Sequence, residues 1–179
     1  MDLGSLTLSR HLRDLRAVRD ALLGAESAVL IGSSLGGLVA AMAAAREPAT
    51  VRALLLIAPA FGFARRLEAR LGNAAVAEWR RTGKLEWRSE VVNATLDYAF
   101  LEDGKRLDDD TLAASIRAPV LLAHGTRDDS VPVEESDRFR ARCTAPVEYL
   151  RIEGGTHRLE AHREALIEAL LRFLDRLGL

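Results

Sequence analysis

Apolar residues recur at three- and four-residue spacing near the start of the chain, at Leu8, Leu12, Leu15, Val18 and Leu22. That period predicts a helix from about Ser9, with Gly24 as its stop. The pattern then changes. Ala28-Val29-Leu30-Ile31 is a continuous apolar run ended by Gly32, short and branched enough to predict a strand buried on both faces. Residues 35–46 are small and apolar, with Pro48 just beyond, and predict a buried helix. Residues 51–57, closed by Pro59, predict a second buried strand, and 120–123 and 147–152 a third and a fourth. Helices are predicted at 134–142 and at 160–177, the latter with Leu166, Leu170, Phe173, Leu174 and Leu177 along one side. Strands alternating with helices imply an α/β fold whose parallel sheet is covered on both faces.

Residues 61–115 break this rhythm. The stretch holds no convincing strand, yet it carries both tryptophans, Trp79 and Trp87, and both lysines. An insertion of this length between two strand–helix units is most simply a helical cap over one end of the sheet. Sites in open parallel sheets lie at the carboxyl ends of the strands, so such a cap could cover a site. The two tryptophans then either contact substrate or pack the insertion's own core.

The length of 179 residues suits one domain, 1–179, with that insertion inside it. At 49% hydrophobic and 28% charged the chain is too apolar for disorder. Its 25 basic and 26 acidic side chains give a net charge of −1 and no general attraction to nucleic acid or to anionic membranes. All the basic side chains but Lys84 and Lys105 are arginines, interleaved with acids throughout, which points to genome composition rather than nucleic-acid binding. A single cysteine, Cys143, excludes an internal disulfide. There is no long apolar run and no charged-then-apolar leader, so a cytoplasmic location is expected.

Against this background one segment suggests chemistry. Gly32-Ser33-Ser34-Leu35-Gly36 fits G-x-S-x-G centred on Ser34, between a predicted buried strand and a predicted buried helix. A nucleophile elbow requires that placement: the sharp turn strains the serine backbone and lifts its hydroxyl above the sheet. Small residues let strand and helix approach, a need assigned to Gly32 and Gly36. The turn has neither the lysine of a P-loop nor the spacing of a dinucleotide fingerprint.

A serine hydroxyl needs a base. His11 lies far upstream on the first helix and is expected at the surface; His162, in the last helix, is expected to be solvated. His157 follows the fourth strand in a loop loosened by Gly154 and Gly155, at a strand's carboxyl end, and is the best candidate. Asp128 and Asp129 follow the third strand and could orient an imidazole. The order Ser34, aspartate, His157 is the Ser…Asp…His order of one hydrolase fold. No histidine–carboxylate or cysteine spacing suggests a metal, and no organic cofactor is expected.

Taken together, the elbow, His124-Gly125-Thr126-Arg127-Asp128 through Val131-Pro132, and Gly154-Gly155-Thr156-His157 resemble the α/β-hydrolases. The resemblance covers nearly the whole chain from Thr7. It implies that Asp128, four residues after the histidine of His-Gly, is the acid, and that His124 is a structural residue of the strand-end turn. Leu6-Thr7-Leu8-Ser9, Gly83-Lys84-Leu85-Glu86-Trp87 and Asp97-Tyr98-Ala99-Phe100 are similar to the branch of small esterases and thioesterases that includes the mitochondrial palmitoyl-protein thioesterase. The family also implies an eight-stranded sheet, of which about four strands are visible here. The strands expected before Ser9 would be missing because the start is placed late, the chain is a fragment, or the fold is reduced.

The expected activity is therefore hydrolysis of small acyl esters or thioesters, with Ser34 as nucleophile, His157 as base, Asp128 as orienting acid and the Leu35 N–H as one oxyanion donor. The second donor has no candidate. The alternatives are a non-catalytic scaffold used for binding or assembly and, less favoured, a peptidase or a haloalkane-type hydrolase; the latter would place aspartate where Ser34 stands. Self-association through the edge of the Ala28–Ile31 strand is also expected.

Overall fold

The computed structural model describes residues 6–88 and 93–179. In chain order its elements are α1 (Leu8–Leu23), β1 (Ala28–Ser33), α2 (Leu35–Arg46), β2 (Val51–Ile57), α3 (Phe63–Thr82), β3 (Lys84–Arg88), β4 (Asn93–Asp97), α4 (Tyr98–Lys105), α5 (Asp109–Ser115), β5 (Val120–Gly125), α6 (Val133–Arg142), β6 (Val147–Ile152) and α7 (Arg163–Arg176). Single 3-10 turns precede β2 and α7. The chain divides into two compact units, one of 1–18 with 62–108 and one of 19–61 with 109–179.

The larger unit holds a parallel sheet in the order β1-β2-β5-β6. Alternation along the strands sends successive side chains to opposite faces. Ala53, Leu55 and Leu121 form one buried face with Phe173 of α7, joined by Val29, Leu170 and Leu174. Leu54, Leu56, Val120 and Leu122 point the other way and are wholly buried. On that second side α2 packs along β1 and β2, and α5 bridges α2 and α6. The fit is close because α2 is Leu-Gly-Gly-Leu-Val-Ala-Ala-Met-Ala-Ala-Ala-Arg: its small residues leave little between helix backbone and sheet. Each fully buried leucine here contributes roughly 1.5–3 kcal/mol relative to exposure.

β1 lies at an edge of the sheet, as expected, but departs from expectation in burial: Ile31, instead of being buried on both faces, is 58% exposed. The apolar run that suggested a central strand reflects burial against α2 and α7, while its outer flank is open. β6 occupies the opposite edge, with Glu148 and Arg151 exposed and Ile152 buried.

In the smaller unit the expectation of no strand is also overturned. β3 and β4 form an antiparallel pair, with Leu85 opposite Leu96 and Trp87 opposite Ala94. Period-two alternation in Lys-Leu-Glu-Trp-Arg is the signal that marks it. α3 is broken at Gly72 (φ 77°, ψ 159°), a backbone conformation that favours glycine. Trp79 is buried and donates its indole N–H to the Leu96 carbonyl at 3.1 Å, with Tyr98 edge-on at 5.6 Å. Trp87 is half-buried beneath the Arg70 guanidinium, 4.9 Å from its ring centre. Asp103 caps the start of α1, accepting from the Ser9 N–H (2.6 Å) and hydroxyl (2.7 Å).

Candidate active site

Between β1 and α2 the backbone turns at Ser34, whose φ of 51° and ψ of −121° lie outside the regions a non-glycine residue readily adopts. Such strain costs of order 1–3 kcal/mol and persists only where neighbours enforce it. Here three main-chain bonds do so. The Ser34 N–H donates to the Ile57 carbonyl (2.9 Å), and the Ser34 carbonyl accepts from Leu38 (3.2 Å) and Ala60 (2.9 Å). The Ala60 bond depends on a second strained residue, Ala58 (φ 43°), which turns the chain off β2 while its own N–H bonds the Ala123 carbonyl. Nothing in the sequence marked Ala58.

The glycine assignment needs correcting. A Cβ on Gly32 would lie 2.4 Å from the Gly36 carbonyl oxygen, so Gly32 is sterically required. A Cβ on Gly36 would meet nothing within 4 Å. The second tight position is Gly37, whose Cβ would lie 3.0 Å from both the Gly32 carbonyl oxygen and the Pro59 Cβ. Gly36 lends its backbone, not its lack of a side chain.

The acid turn follows β5. The Asp128 side chain is buried, and its Oδ1 accepts from the N–H groups of Ser130 and Val131, both at 2.8 Å. Its Oδ2 faces two histidines, His157 Nδ1 at 2.7 Å and His124 Nε2 at 3.0 Å. Burial alone would push the Asp128 carboxyl up. The hydrogen bonds from His124, His157, Val131 and Ser130 outweigh it and hold the group well below the usual carboxylate range. Asp129 is exposed and accepts from the neighbouring Ser130 hydroxyl, at 3.2 Å.

His157 is carried on the loop after β6, which is joined directly to the acid turn. Arg127 N–H donates to the Gly155 carbonyl (2.8 Å), Thr126 N–H to Ile152 (2.9 Å), and Gly154 N–H to the Thr126 hydroxyl (2.9 Å). The imidazole Nε2 then lies 3.1 Å from Ser34 Oγ. A carboxylate on one side needs a donor, so Nδ1 carries the proton and Nε2 offers its lone pair to the Ser34 hydroxyl. Ser34, His157 and Asp128 thus form one hydrogen-bonded line. The other two histidines do not join it. His11 is half-buried on α1. His162 stands at the N-terminal boundary of α7 without a side-chain capping bond, is half-buried rather than solvated, and keeps its Nδ1 away from solvent.

Leu35 is the first residue of α2, so its N–H has no acceptor within the helix and points where the helix dipole is positive. The amides across the turn are already committed: Ala58 to Ala123, Ala60 to Ser34 and Phe61 to Pro59.

The model of the alpha/beta hydrolase family matches residues 2–169. The chain belongs to that family. Among solved structures this alpha/beta hydrolase is similar to Est1E from Butyrivibrio proteoclasticus, at 25% identity over 96% of this chain and 71% of that one, with a TM-score of 0.75. Est1E has also been solved with ferulic acid bound. The hydrolase is likewise similar to alpha/beta hydrolase domain-containing protein 10 from mouse, at 25% identity over 98% of this chain and 72% of that one, with a TM-score of 0.78. Its fold is shared with Paleococcus ferrophilus monoacylglycerol lipase, at 19% identity over 97% of this chain and 77% of that one, with a TM-score of 0.75. Among the described residues no helix is long and apolar enough to cross a membrane.

Proposed function

We propose that this alpha/beta hydrolase is a serine esterase or thioesterase acting on small acyl substrates through an acyl-enzyme. The observation that carries the reading is the line from Ser34 Oγ to His157 Nε2 (3.1 Å) and from His157 Nδ1 to Asp128 Oδ2 (2.7 Å). Ser34 Oγ attacks the acyl carbonyl carbon while His157 Nε2 takes the hydroxyl proton. Asp128, kept ionised by its hydrogen bonds, stabilises the imidazolium so formed. The Leu35 N–H faces the oxyanion of the tetrahedral intermediate. As that intermediate collapses, the C–O or C–S bond breaks and His157 returns the proton to the leaving alcohol or thiol. Water then attacks the acyl-enzyme with His157 again as base. The acid leaves and Ser34 recovers its proton. Ferulic acid, bound to the related Est1E, is a carboxylic acid of the kind such a reaction releases, which supports an acyl substrate.

Incubation of the folded chain with a fluorophosphonate probe tests the proposal. Labelling confined to Ser34, and absent in Ser34→Ala, is expected. A folded chain that takes up no label at Ser34 would overturn the catalytic reading in favour of a scaffold.

A further inference from the structure

His124 contacts the acid directly, which a strand-end residue does not require. Its ring is completely buried, and both nitrogens are engaged. Nε2 lies 2.9 Å from the Val131 carbonyl oxygen and 3.0 Å from Asp128 Oδ2. Neither a carbonyl nor a carboxylate oxygen has a proton to give, so the proton is on Nε2 and is shared between them. Nδ1 lies 2.6 Å from the hydroxyl of Ser136, a buried residue of α6. A neutral ring satisfies every group: Ser136 donates to the Nδ1 lone pair, and Nε2–H donates onward. A cationic ring would turn Ser136 into the acceptor and leave its hydroxyl proton needing another partner.

The result is a closed ring of bonds around the acid. Val131 donates its N–H to Asp128 Oδ1 and accepts at its carbonyl from His124, which also donates to Asp128 Oδ2. With the Ser130 N–H and His157 Nδ1, four donors occupy the four acceptor positions of the Asp128 carboxylate. The carboxylate then has one rotamer, with Oδ2 turned to His157. Without the His124 donor, Oδ2 is held by His157 alone, the very side chain the carboxylate has to orient.

We propose that His124 is a positioning residue, locked by Ser136 as the neutral Nε2–H tautomer, that fixes the Asp128 carboxylate and through it aims His157 at Ser34. The inference rests on the catalytic reading above for its effect on rate, but its tautomer and its hold on Asp128 are properties of the folded chain alone.

Two variants and two readouts test it. His124→Leu keeps bulk without a donor, whereas His124→Gln can return an N–H near the Nε2 position. On p-nitrophenyl acetate His124→Leu should lose about tenfold or more in kcat with little change in KM, since a misaimed base slows chemistry rather than binding. His124→Gln should recover most of it. Imidazole ¹⁵N NMR of the whole chain should show His124 protonated on Nε2 only. The downfield His157 Nδ1–H resonance should be present in wild type and in His124→Gln and lost in His124→Leu. If His124→Leu does not fold, Ser136→Ala takes its place and should free the tautomer and lower kcat. Retention of the His157 resonance together with full kcat in folded His124→Leu, or a proton on His124 Nδ1 in wild type, would overturn the proposal. Wild type that neither labels at Ser34 nor hydrolyses would instead overturn the catalytic reading, while the two NMR signals would still decide for or against His124.

Discussion

A Cβ placed on Gly125 would lie 2.2 Å from the carbonyl oxygen of Gly155. The acid turn and the base loop therefore meet backbone to backbone, and this contact holds His157 within reach of Asp128. Gly125→Ala would force the two loops apart, because the obstructing atoms are main chain and cannot rotate away. Overpacking of this kind costs about 1–3 kcal/mol, and displacing a catalytic group by an ångström can cost about a hundredfold in rate. Gly125→Ala should lower Tm and reduce p-nitrophenyl acetate hydrolysis by about that factor, measured on the same preparation. Unchanged hydrolysis would show that the loops can move together.

The elbow glycines should separate in the same way. Gly32→Ala meets the Gly36 carbonyl and is expected to abolish folding or fluorophosphonate labelling. Gly36→Ala meets open space and, in helix α2, replaces a poor helix former by a good one; it should be neutral or stabilising by up to about 1 kcal/mol. Thermal melts and labelling of the two variants side by side decide this. A severe Gly36→Ala defect would mean that its open space is needed by substrate.

Much of this site was legible because the signals were local. Ser34, flanked by glycines between an apolar run and a small-residue helix, marks its own turn. The α2 boundaries follow from Ser34 at one end and Pro48 beyond the other. What could not be read depends on contacts distant in sequence. That Gly37 rather than Gly36 is crowded follows from where Pro59 returns, and the strain at Ala58 follows from the bond to Ala123. His124 resembled a strand-end residue because Ser136, which defines its tautomer, lies on another element. β3 is a different case: its alternation was visible but stood in a stretch read as helical.

The acid should be distinguishable by both activity and pH. In the proposed mechanism the three residues act as a unit, so Ser34→Ala, His157→Ala and Asp128→Asn should each remove most hydrolysis, about 10³–10⁴-fold, and double variants should lose little more. Asp129→Asn should be mild. Asp128 is held below its ordinary value by its partners, so its charge stabilises the fold above the usual carboxylate range, near pH 3.9, and that contribution fades as the pH falls further. Denaturant melts should therefore show wild type losing stability below about pH 4 more steeply than Asp128→Asn. Parallel acid limbs would contradict the assignment.

The open flank of β1 leads to an expectation about assembly. Since the Ser34 N–H points to β2, alternation turns the main-chain groups of Val29, Ile31 and Ser33 outward. No charge or proline protects this edge. On α7, Arg176 bonds Glu148 of β6, so the opposite flank, with the exposed Ile167 and Leu171, lies toward β1. A second copy could pair antiparallel about Ile31 and cover both apolar rows. Light scattering should report a dimer or larger species, and Ile31→Lys should shift it toward monomer without affecting labelling of Ser34. A monomeric wild type at high concentration would contradict this.

Leaving-group chemistry gives the sharpest expectation for turnover. In the proposed reaction Leu35 supplies one oxyanion donor, whereas the amides of Ala58, Ala60 and Phe61 across the elbow are already bonded within the fold. Losing one donor typically costs about 10²–10³ in turnover, or roughly 2.7–4 kcal/mol of transition-state stabilisation. An activated ester such as p-nitrophenyl acetate needs less help at the oxyanion, because its leaving group departs readily. An unactivated alkyl ester needs all of it. The ratio of kcat/KM between the two should therefore be unusually large, and supplying a donor from a partner chain should shrink it by raising the slow reaction most. Efficient hydrolysis of an unactivated acyl ester by the monomeric chain would require a second N–H at the oxyanion, and the first places to look would be these three amides, released by movement of the turn after β2.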